Sequence, residues 1–204
     1  PNSAASAFMV GGAVWFVLGT FYGLLTSIQF ISPEFFNNIP WLVFGRIRPI
    51  HVNTVIYGCV AGTLIGCGTY YVPALLRTRL WSEPLGWVSF GLWTIAVLSG
   101  PLGISFGYSQ GREYAEYVWG VDIVLVAAVL TMLLNAVMTL FNRTSNLLYV
   151  SVWYFVGTFL WTSAVYPIGN VMWHPGTGAE SGLLDSIFLT LVVEAERDIR
   201  QRLS

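Results

Sequence analysis

Five windows free of Asp, Glu, Lys and Arg, at 1–33, 49–76, 84–111, 123–142 and 144–179, constrain this chain more than any other feature. A helix rising ~1.5 Å per residue crosses a ~30 Å hydrocarbon layer in about 20 residues, and each window holds a helix of that length. Inside lipid the backbone has no water to pair with, so its hydrogen bonds must close within the helices themselves. The expectation is an all-α polytopic transmembrane helix bundle with five full spans near 7–31, 51–76, 85–106, 117–141 and 147–172. A sixth apolar run at 183–193 meets Glu194, Glu196, Arg197, Asp198 and Arg200. That is about half of a crossing, so a truncated sixth span is expected. No repeat, low-complexity tract or linker divides the chain, which predicts one membrane domain over 1–188 and a divergent charged tail over 189–204.

Composition removes several classes of function. Only 9% of the 204 residues are charged, 55% are hydrophobic and the mean hydropathy is +0.68, whereas soluble domains carry about a quarter charged residues. The nine basic residues are all arginine and are balanced by ten acidic ones, for a net charge of −1. No basic stripe exists for nucleic acid to follow. Cys59 and Cys67 lie eight residues apart in one apolar run, a spacing that suits neither a CxxC metal pair nor a disulfide framework. Phosphate-binding glycine loops, nucleophile elbows and paired carboxylates within the spans are all missing, which removes hydrolysis and ATP chemistry. The chain opens on Pro1 rather than methionine, as expected of a processed chain or a fragment.

Arginine placement orients the bundle. Arg77, Arg79 and Arg143 fall on one side, and Arg46, Arg48 and Arg112 on the other. Arg197, Arg200 and Arg202 join the first group if the sixth run crosses. By the positive-inside rule the first group is then cytoplasmic and the N-terminus lies inside. The three outer arginines need another reason to be there.

The segment at 44–53, FGRIRPIHVN, offers one. Pro49 suits a first helical position, which sets His51 in the first turn of the second helix at the outer membrane edge. An imidazole there is either an interfacial side chain hydrogen-bonded to its neighbours or an axial ligand to haem iron. Arg46 and Arg48, within five residues and at the same surface, would pair with the two propionates of such a haem by charge-assisted hydrogen bonds. Gly58, Gly62 and Gly66 follow at a spacing of four, with Gly19 and Gly23 in the first helix. Small residues so placed admit either a neighbouring helix or the edge of a flat ring.

Two further outer segments carry polar groups. The run 111–116, GREYAE, reads as a solvated loop, or as one in which Glu113 opposes an arginine or offers a hard oxygen ligand to a divalent cation. Asp122 reads as a structural partner for one of these arginines. His174, in the WHPGTG segment, is the only other histidine. It is either a structural loop residue or the second ligand of a bis-histidine haem, in which case the chain would be a small non-enzymatic b-type cytochrome clamped by His51 and His174.

Taken together, FGRIRPIHVN, GREYAE and the following Val121-Asp122 resemble the catalytic subunit I of cbb-type, C-family haem-copper cytochrome c oxidases. The large subunit of nitric oxide reductase shares the architecture and is the nearest competitor. The resemblance runs to about Phe188 and includes 166–173 and the His174-Pro175 turn. It implies that His51 ligates a low-spin haem b, that Arg46 and Arg48 lie near its propionates, and that Glu113 belongs to a calcium site beside them. His174 has no ligand role in that pattern. The resemblance further implies an integral protein of the bacterial inner membrane, with its haem side periplasmic and its N-terminus cytoplasmic. Other oxidase subunits, including membrane-anchored c-type cytochromes, would surround it in the lipid. The whole protein would oxidise cytochrome c, reduce oxygen to water and translocate protons. After 185–188 the family continues with copper and active-site haem ligands, but here the chain reads LTLVVE and stops at Ser204. A frameshift, an early stop or a fragment would each give that ending, and no oxygen chemistry is expected of these residues alone.

Overall fold

A computed structural model describes residues 2–36, 38–110 and 115–171. Every regular element among them is helical: α1 (Ser3–Ile31), α2 (Phe44–Leu75), α3 (Glu83–Ser105), α4 (Trp119–Phe141) and α5 (Val150–Val171). The first four are long and apolar enough to cross a membrane. Helix α5 forms where the fifth span was expected and carries no charge, but Trp153, Tyr154, Trp161, Tyr166 and Pro167 make it less apolar than the others. The expected sixth run and the boundary at 188/189 lie outside the described residues.

One boundary differs in a way that matters. Helix α2 starts at Phe44 rather than near His51, so Pro49 sits inside it instead of at its first position. The amides of Arg46 and Ile47 bond the Val43 carbonyl at 2.9 and 3.0 Å and nucleate the helix ahead of the proline. Proline deletes a single hydrogen bond, the one to the carbonyl four residues back. That residue is Gly45, which is exposed and has open space around it. His51 therefore lies about two turns inside the helix rather than in its first turn.

Past Asn53 the helix widens into a π-helical stretch, Thr54–Ala61, before returning to α geometry over Gly62–Leu75. The looser winding tilts carbonyls outward, and the Trp93 indole on α3 donates to the Tyr57 carbonyl at 3.1 Å.

Helices α1 and α2 approach closely through glycine. A Cβ on Gly66 would lie 2.9 Å from the Met9 backbone nitrogen and 3.0 Å from the Ala5 carbonyl oxygen, so only glycine admits α1 at this distance. Van der Waals packing at such small-residue seams holds membrane helices together where lipid is as apolar as the side chains. At the opposite end from His51, polar groups fasten the bundle. Glu83 accepts from the Asn2 and Ala4 amides at the N-terminus of α1, a favourable place for a carboxylate. Asn135, fully buried on α4, accepts from the Ser82 amide at 3.1 Å and donates to the Ser82 carbonyl at 2.8 Å. Residues 1–163 form one compact unit, in which Val152 of α5 packs with Val72, Leu76 and Leu140. Residues 164–171 belong to a second unit.

Candidate functional site

His51 is half-buried and faces α1 rather than lipid. Its Nδ1 lies 2.8 Å from the Gly19 carbonyl oxygen. A carbonyl only accepts, so Nδ1 carries a proton, and in the neutral ring this leaves the lone pair on Nε2. Across the ring, a Cβ on Gly23 would fall 2.8 Å from Cε1 and 3.1 Å from Nδ1. The glycine leaves a cradle that the imidazole fills. An imidazole held by one nitrogen, with the other free to donate, is the usual arrangement of a metal-ligating histidine. The donor chemistry therefore fits an axial haem ligand.

The two arginines of the motif diverge. Arg46 is half-buried and its Nη1 donates to the Ser105 carbonyl at 2.9 Å, closing the C-terminus of α3, where a cation is favoured by exposed carbonyls. The chain reverses there through Gly107, whose φ of +91° belongs to glycine, and the Arg46 guanidinium packs against it. Arg48 is exposed. Three residues ahead of His51, it occupies the same side of the helix, whereas Arg46 lies well round the barrel of α2. A cavity of about 430 Å³ at this end is lined by Tyr22, Trp41, Arg46, Ile50 and Phe106 among others; His51 is not part of its wall.

Beside the motif the structure assembles a buried polar cluster that the sequence left scattered. Asn53 Nδ2 donates to Glu116 Oε2 and to the Pro49 carbonyl, both at 2.8 Å. The backbone of Gln110 bonds that of Glu116 at 2.9 Å. The Gln110 side chain donates to the Tyr117 carbonyl at 2.5 Å and to Asp122 Oδ2 at 3.3 Å. Tyr117 packs with Ile50 and Ile104 and lies tilted against Tyr57 at a centroid distance of 5.4 Å. Burial pushes its phenol well above the ordinary tyrosine range, and Tyr57, Glu116 and Asp122 add to the shift. Asp122, expected as a partner of an outer arginine, takes a hydrogen bond from Gln110, and Glu116 of the GREYAE motif is buried among these groups. The second glutamate of GREYAE and the asparagine closing FGRIRPIHVN were the available signals for this cluster.

Glu113, proposed for calcium, and His174 lie outside the described residues, as does Arg112. Among the described residues no three His, Cys, Asp or Glu side chains converge as a protein-built metal site requires. A haem asks less of the chain, since one imidazole completes one axial position.

A membrane-embedded helical bundle with an oriented imidazole near one end thus defines the class. The model of the family "Cytochrome C and Quinol oxidase polypeptide I" matches residues 3–188, and the chain belongs to that family. Curated relatives agree. A Cbb3-type cytochrome c oxidase subunit CcoN1 of Stutzerimonas stutzeri is 29% identical over 174 residues, covering 85% of this chain and 36% of the relative. A cytochrome c oxidase subunit 1 homolog of Agrobacterium tumefaciens is 32% identical over 156 residues, covering 76% and 29%. One from Azorhizobium caulinodans is 32% identical over 174 residues, covering 83% and 31%. The chain spans about a third of the length of these relatives and matches part of a subunit I. It is an integral membrane protein by its four apolar helices and its family.

Proposed function

We propose that this chain is the part of a cbb-type haem-copper oxidase subunit I that holds one low-spin haem b, with His51 as an axial ligand. The hydrogen bond from Nδ1 to the Gly19 carbonyl carries the reading, because it fixes the tautomer in which Nε2 donates to iron. Haem bound there supplies one-electron transfer at a potential set by ligation, hydrogen bonding and burial. The chain's own side chains supply those settings. Arg48, on the His51 side of α2, offers a guanidinium to a propionate. Arg46 retains further N–H donors beyond the one given to Ser105, and serves the second propionate. Glu113 is the proposed calcium ligand next to them.

The similarity to a Cbb3-type subunit supports the wider role. In that role the whole protein takes electrons from membrane-anchored c-type cytochrome subunits, reduces oxygen to water and moves protons. It sits in a bacterial inner membrane with its N-terminus cytoplasmic and its haem side periplasmic. The copper and active-site haem of the whole protein draw no ligand from the residues assigned here. In the intact membrane protein carrying this sequence, His51→Ala should abolish the low-spin haem b band of the reduced-minus-oxidised spectrum. An unchanged band would overturn the reading.

A further inference from the structure

We infer that Gly19 and Gly23 of α1 are positioning residues for His51: the Gly19 carbonyl fixes which ring nitrogen carries the proton, and the bare Cα of Gly23 fixes the rotation of the ring. The inference deepens the haem reading and rests on it for its consequence, though not for its geometry. Two independent observations meet on one ring. The 2.8 Å separation of Nδ1 from the Gly19 oxygen sets the protonation pattern. The space at Gly23 is occupied by the ring itself, whose Cε1, Nδ1 and Nε2 would lie 2.8, 3.1 and 3.4 Å from an added Cβ.

These residues are four apart, one helical turn, so they present one carbonyl and one gap to the same side chain. The Gly19 carbonyl is already part of the rigid α1 ladder and costs no reorganisation when it accepts from the imidazole. Nδ1–H hydrogen bonding to a carbonyl raises the basicity of the opposite nitrogen. A stronger donor favours ferric over ferrous iron, so this contact lowers the midpoint potential of a haem held by Nε2. An alanine at 23 pushes the ring away from α1, stretches the bond to Gly19 and raises the potential.

The first test needs no haem. The chain has two histidines, so ring ¹⁵N spectra of the 204-residue protein in detergent, assigned with a His174→Gln variant, resolve His51 directly. The expected result is an Nδ1-protonated, Nε2-unprotonated ring; a neutral ring protonated on Nε2, the form preferred in water, overturns the inference. The second test uses the intact haem-loaded protein. Gly23→Ala should retain haem b with an upward shift of its midpoint potential and an altered low-spin EPR signal. Gly66→Ala, which crowds the same helix pair about four turns away, should lower thermal stability and leave potential and EPR unmoved. A Gly23→Ala protein with unchanged potential and EPR overturns the positioning role. Loss of the underlying haem reading would show separately, as a haem b band that survives His51→Ala. If Gly23→Ala fails to accumulate, the tautomer of the unsubstituted chain still decides.

Discussion

The Asn53 side-chain amide donates to Glu116 Oε2 at 2.8 Å, joining residues 63 positions apart in a buried setting. The bond ties the first third of α2 to the segment that leads into α4, and the same amide nitrogen also holds the Pro49 carbonyl one turn earlier in the helix. One side chain thereby secures both the kink-prone stretch around Pro49 and the chain that covers it. His51, two residues earlier, inherits its position from this arrangement.

Removing that donor should be costly out of proportion to its size. Asn53→Leu leaves a nearly buried Glu116 carboxylate without this partner, and an unsatisfied buried acceptor costs about 1–3 kcal/mol. Thermal unfolding in detergent should show a lower midpoint for Asn53→Leu than for Asn53→Gln, which keeps an amide donor. Equal midpoints would mean that the bond contributes nothing net.

Tyr117 predicts a pH dependence. Its phenol is raised above the ordinary tyrosine value of 10.0, mainly because burial disfavours the phenolate. The group keeps its proton in the folded protein while the unfolded chain loses it, so its stabilisation is full below pH 10.0 and declines as pH rises beyond that value. A stability profile should therefore slope downward above about pH 10, and Tyr117→Phe should flatten part of the slope. The hydroxyl makes no hydrogen bond among the described residues, so the Phe variant should stay within about 1 kcal/mol of the parent at neutral pH. Tyr117→Ala, which empties the ring's place against Gly100 and Ile104, should lose about 3–5 kcal/mol.

At the opposite end, Asn135 serves both the amide and the carbonyl of Ser82 while being fully buried. Asn135→Leu strands the Ser82 amide, at a cost of about 1–3 kcal/mol, and takes one of two donors from the Ser82 carbonyl, which keeps the Gly86 amide at 3.1 Å. The loss should be read by thermal unfolding alongside Ser89→Ala, which removes a single hydroxyl donor to the Ala128 carbonyl. The Asn135 variant should be the less stable by a clear margin; parity would show that Ser82 finds other partners.

These cases also show what could be read from sequence. Charge-free length alone located all five helices, because a backbone in lipid has few options, and the Arg-x-Arg-Pro-x-His spacing singled out the imidazole that the structure turns toward α1. What escaped was long-range pairing. Nothing local in the chain says that Asn53 meets Glu116, that Arg46 reaches the end of α3, or that the Gly19 carbonyl waits for His51, since each bond joins residues 32 to 63 positions apart. The start of α2 was misread for a different reason. Proline at 49 resembles a helix's first residue, and the tolerance of the exposed Gly45 carbonyl for a lost hydrogen bond becomes visible only in three dimensions.

Glycine offers a prediction in which the sign changes with position. At Gly66 a new Cβ would meet the Met9 Cγ at 2.8 Å and, at 2.9 and 3.0 Å, two backbone atoms of α1 that cannot rotate aside as a side chain would. Gly66→Ala must separate the two helices, an overpacking that typically costs about 1–3 kcal/mol. Gly91, inside α3, has nothing within 4 Å of the same virtual atom. There the substitution only removes backbone freedom from the unfolded chain and should gain about 0.5–1 kcal/mol. Unfolding both variants in one detergent should move their midpoints in opposite directions. A shift of the same sign in both would mean that the α1–α2 seam is not set by backbone contact at Gly66.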